Sequence, residues 1–188
     1  FPETIISIDT FRSKVAETCL NSGASIINDV SAGEMDKKMM EIVGKYNVPY
    51  VMMHMKGNPQ NMIKKTNYDD MLKEIIKYFS KKINQAVSYK INDMIIDPGF
   101  GFAKDLKQNY NLLSNMDLLK ILEKPIMVGI SRKSMIYQSL KTNAKESLNG
   151  TTVLNTVSLI KGASILRVHD VKEANECIKL INALNKQG

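Results

Sequence analysis

Arginine, histidine and cysteine are scarce in this chain, and long apolar runs are missing. In 188 residues there are two cysteines, two histidines and three arginines. A membrane helix needs about 20 consecutive apolar residues. No stretch approaches that, and no basic-then-apolar signal segment opens the sequence, so no membrane association is expected. Cys19 and Cys177 fall on predicted helices in no metal-ligand spacing. They read as free thiols in a reducing compartment, which makes the cytoplasm the expected location. The net charge of +7 comes from lysines scattered along predicted helices, since arginine contributes only Arg12, Arg132 and Arg167. Nucleic-acid binders gather both cations on one face and interleave aromatics. A solvated lysine-rich surface is therefore expected, with no nucleic-acid partner, in a field that suits a small anionic substrate. There is no Walker-type phosphate loop, so nucleotide hydrolysis is not expected. Nor is there a low-complexity linker or composition shift, so residues 1–188 read as one domain.

What the chain does have is an alternation of short apolar runs and amphipathic stretches from end to end. Strand candidates are Ile5–Asp9, Ser25–Asp29, Tyr50–His54, Asp93–Asp97, Pro125–Ser131 and Ile165–His169. Their near-continuous apolar character suits strands covered on both faces. Between them lie helical periods. The clearest is Tyr68–Tyr89, with Leu72, Ile75, Phe79, Ile83 and Ala86 on one face. A last helix opens on Asp170-Val171-Lys172-Glu173, close to a capping box, and carries Ala174, Ile178, Ile181 and Leu184. Gly23-Ala24-Ser25-Ile26-Ile27 is echoed by Gly162-Ala163-Ser164-Ile165-Leu166, each glycine standing where a helix stops before a strand. Six βα units emerge. A doubly wound sheet can use six, whereas a (β/α)8 barrel needs eight in typically ~250 residues.

The strand ends collect the rare polar residues. They read Ile8-Asp9-Thr10, Asn28-Asp29, Met53-His54-Met55, Ile96-Asp97-Pro98-Gly99, Gly129-Ile130-Ser131-Arg132-Lys133-Ser134 and Arg167-Val168-His169-Asp170. Carboxyl ends of parallel strands are where α/β proteins gather ligand-binding groups. Asp97, at the end of a buried run that breaks at Pro98-Gly99, either caps the next helix or binds a ligand. Phe100 and Phe102 beside it can supply flat apolar surface. Asp29 and Asp170 read as helix caps. His54 reads equally as structural or as a ligand, Met53 as core or pocket wall, and Arg132 as the partner of a carboxylate or of an anion. Asp9, Asn28, Asp97 and Lys133 converge on one mouth. A carboxylate and an amide among aromatic and methionine side chains suit a flat heterocycle with adjacent N–H donors. Arg167 and His169, two apart at a strand end, suit a phosphate-like anion.

At these residues the chain resembles the dihydropteroate synthase family. The matching motifs are Ser7-Ile8-Asp9-Thr10, Ile26-Ile27-Asn28-Asp29, Met53-His54-Met55-Lys56-Gly57-Asn58-Pro59, Asp97-Pro98-Gly99-Phe100-Gly101-Phe102, Ser131-Arg132-Lys133-Ser134 and Arg167-Val168-His169-Asp170. The resemblance implies an α/β fold, a (β/α)8 TIM barrel of the pterin-binding type. Residues 1–188 would then be a fragment that lacks the first two βα units and is poorly folded and inactive alone. It implies a transferase of folate biosynthesis, a sulfonamide target, which joins 6-hydroxymethyl-7,8-dihydropterin diphosphate to p-aminobenzoate and releases pyrophosphate. By motif, Asp9, Asn28, Asp97 and Lys133 hold the pterin ring, and Met53 and Gly129 wall it. Arg167 and His169 hold the diphosphate, while Phe102, Lys133 and Ser134 lie near p-aminobenzoate. Lys133, Arg167 and His169 are the residues expected to carry catalysis. A magnesium cofactor is implied, its protein ligand lying outside this sequence, so no metal ligand is assigned here. A homodimer is implied for the full-length protein. Abundant lysine, asparagine and isoleucine resemble the apicomplexan form, in which the synthase follows a hydroxymethyldihydropterin pyrophosphokinase. The alternatives are a pterin-binding methyltransferase, which needs neither the Ser131–Ser134 loop nor Arg167 and His169, and a non-catalytic pterin-binding fragment.

Overall fold

Two helix ends show how the chain builds its repeating unit. In the computed structural model, which describes residues 3–57 and 66–186, Gly23 and Gly162 have φ of 97° and 99°. Each closes a Schellman turn: Ala24 N–H donates to Cys19 O at 3.0 Å, and Ala163 N–H to Ser158 O at 2.9 Å. In each case the next two amides, Ser25 and Ile26 or Ser164 and Ile165, reach one carbonyl of the preceding strand segment, Ile6 or Ile126. The sequence echo is thus one helix-to-strand joint used twice.

Six βα units are present among the described residues. The strands are β1 (Ser7–Asp9), β2 (Ile26–Asp29), β3 (Tyr50–Met53), β4 (Met94–Asp97), β5 (Met127–Val128) and β6 (Ile165–Leu166). The helices are α1 (Ser13–Asn21), α2 (Met39–Tyr46), α3 (Met71–Ser88), α4 (Leu106–Ser114), α5 (Ser134–Leu140), α6 (Leu148–Ile160) and α7 (Val171–Asn185), with a 3-10 helix at Met116–Leu122. The strands pair in parallel in chain order, β1 to β4 in one sheet and β5 with β6 in another, and an Ile96–Ile126 bridge joins the two. A doubly wound sheet reverses its strand order part-way; here each described strand lies beside its predecessor.

Burial confirms the single winding. Ile27, Tyr50, Met52, Met94, Ile96, Ile126 and Val128 pack into one core with α1 through α5. The alternate residues Ile26, Val51, Ile95 and Met127 form a separate small cluster on the opposite face. Helices therefore cover one face only, and the other lines a cavity of about 430 Å3. That is the cross-section of a (β/α) barrel wall with its lumen. Among the described residues β1 and β6 each have one strand neighbour.

Several expectations change. Every strand is shorter than its apolar run. The fifth ends at Val128 because Gly129 to Lys133 turn away, with Arg132 at φ 55°. Asp170 sits at the N-cap position of α7 but makes no side-chain cap bond, because its carboxylate is taken by Arg132. Asp29 starts no helix: it accepts from Ser31 N and Oγ, Gly33 N and Tyr50 Oη, buried under a turn. The buried face of α7 is Ala174, Cys177 and Ile181, whereas Leu184 is exposed. Asn58 and Pro59 of the 53–59 motif lie outside the described residues.

Candidate active site

The strand pleat decides which residues reach the lumen. Asp9 pairs in register with Asn28, Asn28 with Val51, Val51 with Ile95, and Met53 with Asp97. Because Ile26, Val51 and Ile95 face the lumen, so do the residues two further along β2, β3 and β4: Asn28, Met53 and Asp97. Arg167 joins them from β6, and a Cβ on Gly129 would meet its side chain at 3.9 Å. All six strands thus lead into a lumen-facing group of the expected set: Asp9, Asn28, Met53, Asp97, Gly129 and Arg167. Asp9 and Arg167 line the cavity from the first and last strands.

Asp9 and Arg167 are not separate sites. Arg167 Nη2 donates to Asp9 Oδ2 at 2.5 Å, and Asn28 Nδ2 donates to Asp9 Oδ1 at 2.6 Å. Both groups of the ion pair are about half exposed. One guanidinium hydrogen is engaged, which leaves the remaining donors of the fork for an anion.

Asp97 is buried and accepts from Gly99 N–H at 2.8 Å. Burial raises its proton affinity, while the ammoniums of Lys133 and Lys104 and the Arg167 guanidinium work the other way. Lys133 Nζ donates to Phe100 O at 2.5 Å and lies 4.7 Å from the centre of the Phe102 ring. Burial lowers its pKa to about 8 despite the attraction of Asp97. The structure brings Lys133 against Phe102 and within the field of Asp97. Asp97 makes no helix cap; Asp105 caps α4, in a full capping box with Gln108.

His169 approaches from β6 and Ser131 from β5, with Ser131 Oγ 3.0 Å from His169 Nδ1. Arg132 lies between them in role. Its Nε and Nη2 donate to the two Asp170 oxygens at 2.9 and 2.8 Å, and its Nη1 donates to the carbonyls of Ala144 and Lys145. Of its two open readings the structure supports the carboxylate partner. Ser134 opens α5 directly after Lys133.

His54 is a core histidine. Its ring lies edge-on to Tyr78 at 4.9 Å, and its pKa falls to about 2 through burial first, then through Lys104 and Lys56. Neither Lys104 nor Asn109 stands out in the sequence, and Ser131 does so only as the first residue of its Ser131–Ser134 motif. Lys104 stands inside the Asp97–Lys104 run, and only the folded turn shows what its ammonium grips. No group of three His, Cys, Asp or Glu side chains among the described residues could hold a metal ion.

The comparisons with known proteins agree with this geometry. A family model described as pterin binding enzyme matches residues 1–169. The chain belongs to the pterin-binding enzyme family. It is 38% identical over 182 residues to a dihydropteroate synthase of Synechocystis, covering 95% of this chain and 63% of that one. It is 37% identical over 189 residues to the folic acid synthesis protein fol1 of Schizosaccharomyces pombe, covering 95% of this chain and 26% of that one. A crystal structure of the Yersinia pestis dihydropteroate synthase with a sulfonamide drug complex superimposes with a TM-score of 0.95 at 34% identity, covering 99% of this chain and 68% of that chain. The pterin-binding barrel expected from the sequence is therefore the fold of the relatives. The chain spans a little under two thirds of the Synechocystis relative.

Proposed function

We propose that the complete barrel to which this chain contributes its six βα units is a dihydropteroate synthase. The observation that carries this reading is the buried Asp97 carboxylate in a lumen-facing ring with Asn28, Met53, Gly129 and Arg167. An ionised carboxylate inside an apolar wall suits the adjacent N–H donors of a 2-amino-4-oxo pterin ring, a paired and charge-assisted contact. Asp9 and Asn28 read the ring's other edge, and Lys133 sits over Phe102 where ring and arylamine meet, with Ser134 next to it.

The reaction breaks the bond between the methylene carbon and the diphosphate oxygen and forms one from that carbon to the arylamine nitrogen. The arylamine loses a proton and pyrophosphate leaves. No protein nucleophile is needed. Ring contacts stabilise positive charge spreading from the methylene carbon. The free donors of Arg167, together with His169 held by Ser131, meet the departing anion. Removing one such contact typically lowers the rate by about 10²–10³. The described residues do not fit a magnesium ion, and no step here passes through one.

Other features support the wider reading. Val153, Ile160, Leu180 and Leu184 are exposed on α6 and α7, which suits a homodimer face. The S. pombe relative is far longer than the stretch matched here, which supports a fusion to a pyrophosphokinase. Free Cys19 and Cys177 suit the cytoplasm, and no described helix is long and apolar enough to cross a membrane.

Calorimetry tests the proposal. Pyrophosphate should strengthen the binding of p-aminobenzoate or a sulfonamide to the complete enzyme. Binding of either that is indifferent to pyrophosphate, with no dihydropteroate formed, overturns the synthase reading.

A further inference from the structure

Lys104 lies at 7% exposure below the lumen. Its Nζ is 3.0 Å from the Gly99 carbonyl, 3.1 Å from the Phe102 carbonyl and 3.2 Å from His54 Nδ1. Three acceptors for three N–H bonds is the full donor capacity of an ammonium. Burying a charge is costly unless every hydrogen finds a partner, and here each does. His54, whose pKa burial lowers to about 2, offers Nδ1 as the acceptor in its Nε2–H tautomer.

The turn that Lys104 grips would not keep its shape unaided. Gly99, Gly101 and Ala103 have φ of 73°, 78° and 50°. Several of its other polar groups are tied down as well. Phe100 O accepts from Lys133, Gly101 N–H donates to Asn109 Oδ1, and Ala103 O accepts from Tyr68 Oη. Gly99 is the junction, since its N–H donates to Asp97 and its carbonyl accepts from Lys104.

The charged groups facing Asp97 come from three loops: Lys104 from its own, Lys133 from the loop after β5 and Arg167 from that after β6. Arg167 is half exposed and engaged with Asp9. Lys104 Nζ contacts His54 at the end of β3 and lies within the fields of Asp97, which attracts its charge, and Lys133, which repels it. It is a buried amine, its pKa lowered by that burial to about 7, that the proposed reaction does not use.

We infer that Lys104 is a positioning residue for Asp97: it pins the 99–103 turn and holds positive charge toward the carboxylate that meets the N–H donors of the ring. The inference rests on the pterin reading of the site. Lys104 itself does not touch substrate.

The test uses the complete enzyme with Lys104→Gln and Lys104→Met. Glutamine retains two N–H donors for the two carbonyls but no charge; methionine removes both. Binding of 6-hydroxymethylpterin is followed by calorimetry from about pH 5 to about pH 9, and the Asp97 carboxyl is titrated by NMR without ligand. In the glutamine variant, affinity at neutral pH should fall about tenfold, and both the acid limb of binding and the Asp97 titration should move up by about one pH unit. The methionine variant should lose more, about a hundredfold, because the turn carbonyls lose their donors as well. If it does not fold, the glutamine variant decides alone. An Asp97 titration unchanged by Lys104→Gln overturns the inference without reference to any ligand. Wild-type enzyme that binds no pterin at any pH defeats the reading of the site instead.

Discussion

Arg132 holds Asp170 in a two-pronged grip, Nε to one carboxylate oxygen at 2.9 Å and Nη2 to the other at 2.8 Å. The pair ties the loop after β5 to the loop after β6. It thereby sets Lys133 and Ser131, on one loop, against His169 on the other. Planar paired donors cannot be copied by an ammonium.

Arg132→Lys should therefore keep the charge yet lose the alignment. We expect turnover of the complete enzyme to fall by about 10–100-fold, with pterin affinity changed far less, because Asp97 lies on another strand. Steady-state kinetics alongside pterin titration separates the two. Equal loss of both would show that the loop pair does not act on the anion side alone.

Asp97→Asn should remove pterin binding and spare the fold. Asparagine Oδ1 can still accept the Gly99 N–H, so the turn keeps its anchor, while the ring donors lose a charged acceptor. Affinity should drop by about 100-fold or more, with the melting temperature lowered by a few degrees at most, because Lys104 and Lys133 lose the charge that attracts them while the turn keeps its anchor. Pterin affinity that survives the substitution would sink the role of Asp97.

Two glycines with similar backbones should respond differently to alanine. A Cβ on Gly99 would lie 2.2 Å from the His54 carbonyl oxygen, whereas one on Gly23 meets nothing within 4 Å. Both have positive φ, 73° and 97°. Gly23→Ala should cost about 1 kcal/mol from conformation alone. Gly99→Ala should cost about 3 kcal/mol or more and disturb Asp97 as well. Denaturant midpoints measured on the two variants check the contrast.

Folding stability should rise between neutral and alkaline pH. Burial lowers the pKa of Lys104 to about 7 and that of Lys133 to about 8, from an ordinary 10.5. Below pH 7 both lysines are charged in the folded and unfolded states alike, and the folded state carries the whole burial cost. As pH passes the folded values the native protein sheds protons that the unfolded chain retains, so the cost fades. The raised pKa of Asp97 works in the opposite sense, favouring the folded state at acid pH. A melting temperature that climbs by several degrees from about pH 6.5 to about pH 9 is expected. A flat or falling curve would show that these ammoniums are solvated.

What could be read from the sequence was whatever depends on neighbours along the chain. The six strands were visible because each is an apolar run ending in a polar residue. The Gly23 and Gly162 joints were visible because a helix stop before a strand has a local signature. The same logic overextended the fifth strand, since Ile130 is apolar and buried but lies in a turn. It also gave Asp170 the work of a cap, when a guanidinium 38 residues away had claimed its carboxylate. The contact between Asp9 and Arg167 was not legible because nothing local links the first strand to the sixth. Lys104 looked like one lysine among many until the turn folded around it.

The Asp9–Arg167 contact spans 158 residues of sequence. With both partners half exposed it adds little free energy. It can form only after every intervening unit has taken its place, so it reports the end of assembly without driving it. A probe beside either residue would time the last step of folding, and the slowest phase should be the one in which that signal appears.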